Sequence, residues 1–166
     1  ITTLLKISKL DAGTVQFNKE TVSLETLINK SCAPLLIPIE LRGQELIIRA
    51  EGDFYGDPAW TSEAVGNMVK NCMEHTPDGG RIEIDAAETV LYSEIVIMDN
   101  GTGISPEDLP RIFERFYKGK NSDGKSFGIG LALSRMIIAE QKGTVKAENR
   151  KNAGAMFTIR FYKGTV

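Results

Sequence analysis

Apolar residues at positions 1, 4, 5 and 7 of Ile1-Thr-Thr-Leu-Leu-Lys-Ile-Ser-Lys-Leu-Asp-Ala-Gly13 recur at helical spacing and stop at a glycine, which predicts the tail of an amphipathic helix. Short alternating segments from Val15 to Ser23 predict a strand or hairpin. Ser23 is placed to cap a helix through Leu24, Leu27, Ile28 and Ala33, and Pro34 and Pro38 inside that pattern predict a kink or an early end. Leu46 to Ala50 reads as a strand. Asp57-Pro58 joins an N-cap carboxylate to a proline at the first helical position. The apolar series Ala59, Trp60, Ala64, Val65, Met68, Val69, Cys72 carries that helix to about His75, where Thr76-Pro-Asp-Gly-Gly80 ends it.

Two strands come next, Arg81 to Ala87 by alternation and Val90 to Met98 by a denser apolar run. Ser105 to Tyr117 predicts one or two short helices, and Lys118 to Phe127 a loop rich in Gly, Lys, Asn and Ser. Gly130 to Lys142 is a strongly apolar helix closed by Gly143, and Thr144 to Ala147 and Ala155 to Tyr162 are the last two strands. The last four strands form two adjacent pairs. The pattern therefore predicts an α+β fold, a two-layer sandwich with helices on one face of a mixed sheet.

Composition narrows what such a fold can do. The 166 residues are 42% hydrophobic, enough for a core without staples, and 22 acidic against 20 basic side chains leave a net charge of −2. No cation excess is available for a nucleic-acid backbone or an anionic membrane. Cys32 and Cys72 lie far apart, each in an apolar helical pattern, which predicts buried free thiols rather than a disulfide framework or a zinc site. The longest nearly apolar stretch, Cys32 to Ile39, holds two prolines and is much shorter than the ~20 residues that span a bilayer. The chain starts at Ile1 with no cationic leader, which reads as an excised piece of a longer protein.

Three constellations can carry chemistry. On the helix from 58 to 75, Glu63, Asn67, Asn71 and Glu74 or His75 recur at intervals of three and four and make one polar stripe. A solvent-facing stripe is the plain reading, but Asn is a poor helix former, and an amide carbonyl is a neutral oxygen ligand suited to a Mg²⁺ otherwise held by phosphates. Asp99-Asn-Gly-Thr-Gly103 comes directly after a strand. Asn-Gly is a hairpin signal, yet the next residues are Ile104-Ser-Pro-Glu-Asp rather than an alternating strand, so Asp99 can instead accept a hydrogen bond from a planar amine. Gly128-Ile-Gly130 opens a helix, where bare amides at the positive end of the dipole can cradle phosphate. Gly119 to Ser126 also satisfies the P-loop expression, with Ile95 to Asp99 resembling a Walker B strand. The charged, aromatic, helix-patterned segment before it is the wrong context for that motif.

Taken in order, Asn67…Asn71, Asp99-Asn-Gly-Thr-Gly103, Phe113-Glu-Arg-Phe116 and Gly128-Ile-Gly-Leu131 resemble the N box, first glycine box, F box and second glycine box of sensor histidine kinases. The resemblance covers residues 14 to 166 and implies an ATP-binding catalytic domain of the GHKL (Bergerat) type. Residues 1 to 13 resemble the end of the second helix of the dimerisation and phosphoacceptor hairpin. The resemblance implies a Mg²⁺ ligand at Asn71, Asn67 beside the phosphates, Asp99 on the adenine amino group, and room for the ring at Gly101 and Gly103. It also implies a lid over 118 to 127 with Lys118 or Arg115 near the γ-phosphate. The resemblance further implies phosphate and nucleotide contacts at Gly128, Ile129, Gly130, Leu131 and His75. The family transfers the γ-phosphoryl group to a histidine on the dimerisation domain, for relay to a response regulator, with positioning and charge neutralisation supplying most of the catalysis. The implied setting is a cytoplasmic domain, monomeric when cut out, of a homodimeric bacterial protein in the cell membrane.

Departures refine these expectations. Hydrolytic relatives place a glutamate one turn before the metal ligand, but here it is Asn67, which cannot take a proton at neutral pH, so hydrolysis is expected to be slow. His75, the only histidine, is followed by Thr-Pro and does not match the phosphoacceptor motif. Glu74 and Lys118 stand where many members have Lys and Arg. In the last glycine box Asn152 and Ala155 replace Gly and Thr, leaving Gly154 as the matching position. Phe113, Phe116 and Tyr117, at i, i+3 and i+4, read first as core and second as a hinge near the lid. A non-catalytic ATP-binding regulatory module of the same fold, and a P-loop NTPase, are the rival readings.

Overall fold

A computed structural model describes residues 2–117 and 128–164. Helix α1 (Thr2–Asp11) ends before Gly13, as its pattern requires. Strand β1 (Glu20–Ser23) is shorter than the Val15 to Ser23 alternation. Ser23 caps α2 (Leu24–Cys32), its hydroxyl accepting from Thr26 N at 3.0 Å. The helix stops where Pro34 enters a single 3₁₀ turn, before the short α3 (Leu36–Leu41). Next come strands β2 (Glu45–Ala50) and β3 (Asp53–Gly56), then α4 (Pro58–His75), where the Asp57 carboxylate accepts from Trp60 N at 3.0 Å. β4 (Arg81–Glu88), β5 (Tyr92–Asp99), α5 (Gly128–Glu140), β6 (Gly143–Asn149) and β7 (Ala155–Tyr162) complete the fold.

The strands form a five-stranded mixed sheet in the order β2-β4-β5-β7-β6, with β2 parallel to β4 and every other pair antiparallel. A separate antiparallel pair joins β1 to β3. One sheet face carries Ile82, Ile84, Ile95, Ile97, Phe157 and Ile159, all fully buried against Leu27 and Ile28 of α2, Val65, Met68 and Val69 of α4, and Leu133 and Ile137 of α5. The α+β architecture with helices on one face is thus the one the pattern predicts. The other face is polar and held by cross-strand ion pairs at in-register positions, Arg49 to Asp85 at 2.6 Å and Arg160 to Glu94 at 2.7 Å. Among the described residues no helix is long and apolar enough to cross a membrane.

Several elements differ from expectation. Ser105 to Tyr117 forms turns and one 3₁₀ stretch, Leu109–Arg111, in place of helices. Pro106 and Pro110 remove backbone donors there. Phe113, Phe116 and Tyr117 therefore share no helical face. Phe113 packs edge-on to Phe157, Tyr117 donates to Asp108, and Phe116 is 61% exposed at φ 63°. β3 has no legible alternation. α5 begins two residues earlier than its apolar pattern and is stopped by Lys142 in the left-handed region, φ 61°, because Gly143 is already the first residue of β6. Cys32 and Cys72 are buried free thiols.

Candidate functional site

Helix α4 organises the site because it touches both other constellations. Its polar stripe does not face solvent along its length, since Glu63, Asn67, Asn71, Glu74 and His75 are all half-buried. Lys6 of α1 donates to both Glu63 oxygens at 2.6 and 2.8 Å. One turn on, Asn67 Nδ2 donates to the Gly130 carbonyl at 3.2 Å, which brings the first turn of α5 against the middle of α4. Ser134 Oγ donates to Ala64 O at 3.0 Å and to Gly130 O at 2.9 Å. Gln141 bridges the far end, accepting from Asp57 N at 2.8 Å and donating to Thr61 Oγ1 at 2.9 Å. These bonds fix the opening turn of α5 relative to α4, with its first amides unsatisfied by the helix itself.

The C-terminal turn of α4 meets the end of β5. A methyl group on Gly101 would overlap the His75 carbonyl oxygen and lie 3.2 Å from Thr76 Cα. The bare side of Gly101 thus lets the Asp99–Gly103 segment close onto α4, and that of Gly103 faces the Asn149 amide, 2.8 Å from where its methyl would sit. The missing side chains of both glycines thus face other residues of the chain. The turn after β5 is not a hairpin, since β5 already pairs with β4 and β7.

Asp99 is the last residue of β5 and is 2% exposed. Its Oδ1 accepts from Gly101 N at 2.9 Å and from Ala155 N at 3.1 Å. The Cys72 thiol, fully buried, is pushed well above its ordinary range by burial first and by the Asp99 charge and hydrogen bond second, so it stays protonated beside the carboxylate. A buried carboxylate held by donors on one oxygen is a fixed acceptor, suited to a planar amine. Gly154, at φ +93°, lies against Asp99 so closely that a methyl there would overlap the Asp99 carbonyl oxygen.

Asn71 stands one turn from both junctions, between the Asn67–Gly130 contact and the His75–Gly101 contact. Among the described residues no group of three or more His, Cys, Asp and Glu converges on a metal position. The Asn71 side-chain amide offers a neutral oxygen, a donor that suits Mg²⁺ where phosphates supply the other ligands. Arg115 is the candidate not joined to the others: its Nη2 donates to both Asp11 oxygens, at 2.8 and 2.7 Å, and contacts Met136 Sδ at 3.7 Å. Lys118 and the P-loop-like Gly119 to Ser126 lie outside the described residues, as do residues 118 to 127 as a whole and the side chain of Ile129. Leu131 is buried in the core. The segment entering the P-loop-like stretch, to Tyr117, is turn and not strand, which a P-loop requires. A cleft of about 460 Å³ lies at the opposite end of α5, lined by Phe54, Phe161, Gln141 and Lys142, away from all of these residues. Sequence reasoning missed Cys72 and Arg150 as neighbours of Asp99 and Asn149 as the partner of Ile104; the short Asp99-to-Gly103 glycine spacing marks the loop but not what braces it.

Residues 56–165 match the family described as histidine kinase-, DNA gyrase B-, and HSP90-like ATPase, and the chain belongs to it. Its relatives include the heme sensor protein HssS of Staphylococcus saprophyticus, 31% identical over 96% of this chain and 35% of HssS. Another is the sensor-like histidine kinase SenX3 of Mycobacterium tuberculosis, 26% identical over 94% of this chain and 39% of SenX3. The chain thus spans little more than a third of these relatives. In fold it matches the catalytic domain of histidine kinase ThkA, with a TM-score of 0.77 and 23% identity over 88% of this chain and 98% of that one. It also matches ThkA solved in complex with the response regulator protein TrrA, with a TM-score of 0.77 and 19% identity over 98% of this chain and 48% of that one. The chain thus carries the ATPase domain of that family, in the fold of histidine kinase catalytic domains.

Proposed function

We propose that this chain binds Mg²⁺-ATP and presents its γ-phosphoryl group to a histidine on a dimerisation domain outside the chain. The observation that carries the reading is that one helix, α4, is bonded through Asn67 to the opening turn of α5 and packed through His75 on the loop after Asp99. A purine at Asp99 and phosphates at Gly128 and Gly130 would then lie along one helix with Asn71 between them.

Asp99 reads the exocyclic amine as a hydrogen-bond acceptor. The amides opening α5 hold phosphate oxygens by charge and direction. Asn71 would hold Mg²⁺, which when bound neutralises phosphate charge as the bond to ADP weakens. In the transfer an unprotonated imidazole nitrogen of the incoming histidine bonds to the γ-phosphorus while the bond to the ADP oxygen breaks, leaving phosphohistidine and ADP. Asn67 cannot remove a proton from water, which protects the triphosphate from hydrolysis until a histidine arrives. Lys118 is the cation proposed at the γ-phosphate; Arg115, paired with Asp11, is free for that role only if α1 lets go.

Helix α1, with Ile7 and Leu10 buried against the domain, is proposed as the end of the dimerisation hairpin. The complex of ThkA with the response regulator TrrA supports a response regulator as the acceptor downstream, and a homodimeric parent in the membrane is proposed with it. The test is calorimetric titration of Mg-ATP into the wild type and Asp99→Ala, then incubation with a separately made dimerisation domain. Loss of binding in Asp99→Ala and labelled phosphate on the added histidine are expected. Binding without transfer would make this a regulatory module, and binding that survives Asp99→Ala but not Lys125→Ala would restore the P-loop reading.

A further inference from the structure

Beyond Asp99 strand β5 ends, and the segment to Ile104 has no strand ladder of its own, yet both ends of it are gripped from the last residue of β6 and the turn that follows it. Asn149 Oδ1 accepts from Ile104 N at 2.8 Å, and Asn149 Nδ2 donates to Ile104 O at 2.7 Å. One side-chain amide thereby satisfies both backbone groups of Ile104, as a neighbouring strand would. The next residue, Arg150, donates from Nη1 to the Asp99 carbonyl at 2.9 Å, while its own N donates to Gly154 O at 2.8 Å and closes the turn. Gly154 packs on the same carbonyl, and Ala155 N reaches the Asp99 carboxylate at 3.1 Å.

We propose that Asn149 and Arg150 are positioning residues that set base selection, holding the Asp99–Ile104 segment in the shape that reads the purine's exocyclic amine. The inference rests on the reading of Asp99 as the base acceptor. Its chemistry is specific to an amide: Asp at 149 could accept from Ile104 N but not donate to its carbonyl, and Ser is too short to serve both groups. Among the described residues, the clamp's hydrogen bonds run to Asp99, Ile104 and Gly154 and none runs to the opening turn of α5. Its loss should therefore alter recognition of the base and leave the grip on phosphates intact.

The test uses the 166-residue chain and three probes measured by calorimetry: Mg-ATP, Mg-ITP, whose base has an oxo group in place of the amine, and inorganic tripolyphosphate. Asp99→Ala calibrates full loss of the ATP-over-ITP preference. Asn149→Leu should lower that preference by about tenfold or more, the range of one hydrogen bond to a charged group, with tripolyphosphate affinity unchanged within about twofold. Asn149→Ser, able to serve one of the two backbone groups, should fall between Asn149→Leu and wild type, and it applies the same criterion if Asn149→Leu fails to fold. Preference lost in Asp99→Ala but kept in the Asn149 variants overturns the inference alone. Equal weakening of all three probes also overturns it, because that is general loosening. Preference retained in Asp99→Ala overturns the reading of Asp99 and the inference with it.

Discussion

Gly154→Ala is the substitution whose consequence can be worked furthest. The new methyl would overlap the Asp99 carbonyl oxygen and lie 2.6 Å from the Asp99 carbonyl carbon and 2.8 Å from its Oδ1. Carbon atoms rest at about 3.5–4.0 Å, so the turn and the end of β5 must separate by roughly 1 Å. Residue 154 also sits at φ +93°, where an L side chain costs about 1–2 kcal/mol, and overpacking adds about 1–3 kcal/mol. The stiffer unfolded chain returns about 0.4–1 kcal/mol. The net loss is about 1–5 kcal/mol, and for a chain of this size Tm should fall by roughly 2–20 °C. The displacement lands on the backbone and carboxylate of Asp99, so Mg-ATP affinity should fall by about 10–100-fold, the value of one charge-assisted bond. Gly13→Ala is the control: it too has positive φ, +68°, but nothing within 4 Å of the new methyl, and it should cost about 1 kcal/mol without touching ATP affinity. Thermal melts and calorimetry on the three proteins decide. A Gly154→Ala protein with the melting point and affinity of the wild type would refute the close approach of the turn to Asp99.

Three further outcomes are expected. Lys142→Gly removes a side chain from a left-handed helix stop and should stabilise the chain by about 0.5–1 kcal/mol, raising Tm by roughly 1–4 °C in a thermal melt. The Cys32 thiol is raised by burial from 9.0 to about 11, so the folded state keeps a proton the unfolded chain loses. Stability from this group is intact below pH 9 and declines between pH 9 and 11 by about 1.4 kcal/mol per pH unit; Cys32→Ala should flatten that slope by one proton in denaturant titrations. The Asp11–Arg115 pair is nearly half exposed on both sides, so a double-mutant cycle should give a coupling of at most about 1 kcal/mol that fades in high salt.

How legible the protein is differs with the range of the interactions involved. Most helices and strands and the α+β layering can be read in the chain, because the side chains that decide them are spaced at 3.6 or 2 residues and capped by local groups such as Ser23 and Asp57. Asp99 is legible as a candidate functional carboxylate from the glycines just after it. The turns between Ser105 and Tyr117 mimic a helix because their apolar spacing outweighs two prolines, and the stop of α5 falls elsewhere than its pattern suggests because Lys142, not a glycine, carries the positive φ.

The amino-acid sequence by itself determined which residue types could meet a nucleotide: a pair of amides one turn apart, a carboxylate at a strand end and a glycine-opened helix. Only the tertiary structure decided that α4 gathers them, that the glycines of the loop face His75 and Asn149, and that the turn at Asn149 to Gly154 braces Asp99 from about fifty positions away. Periodicity records a residue's neighbours along the chain. The contacts that hold this site are between segments whose proximity depends on the order in which strands join the sheet, and no local pattern encodes that order.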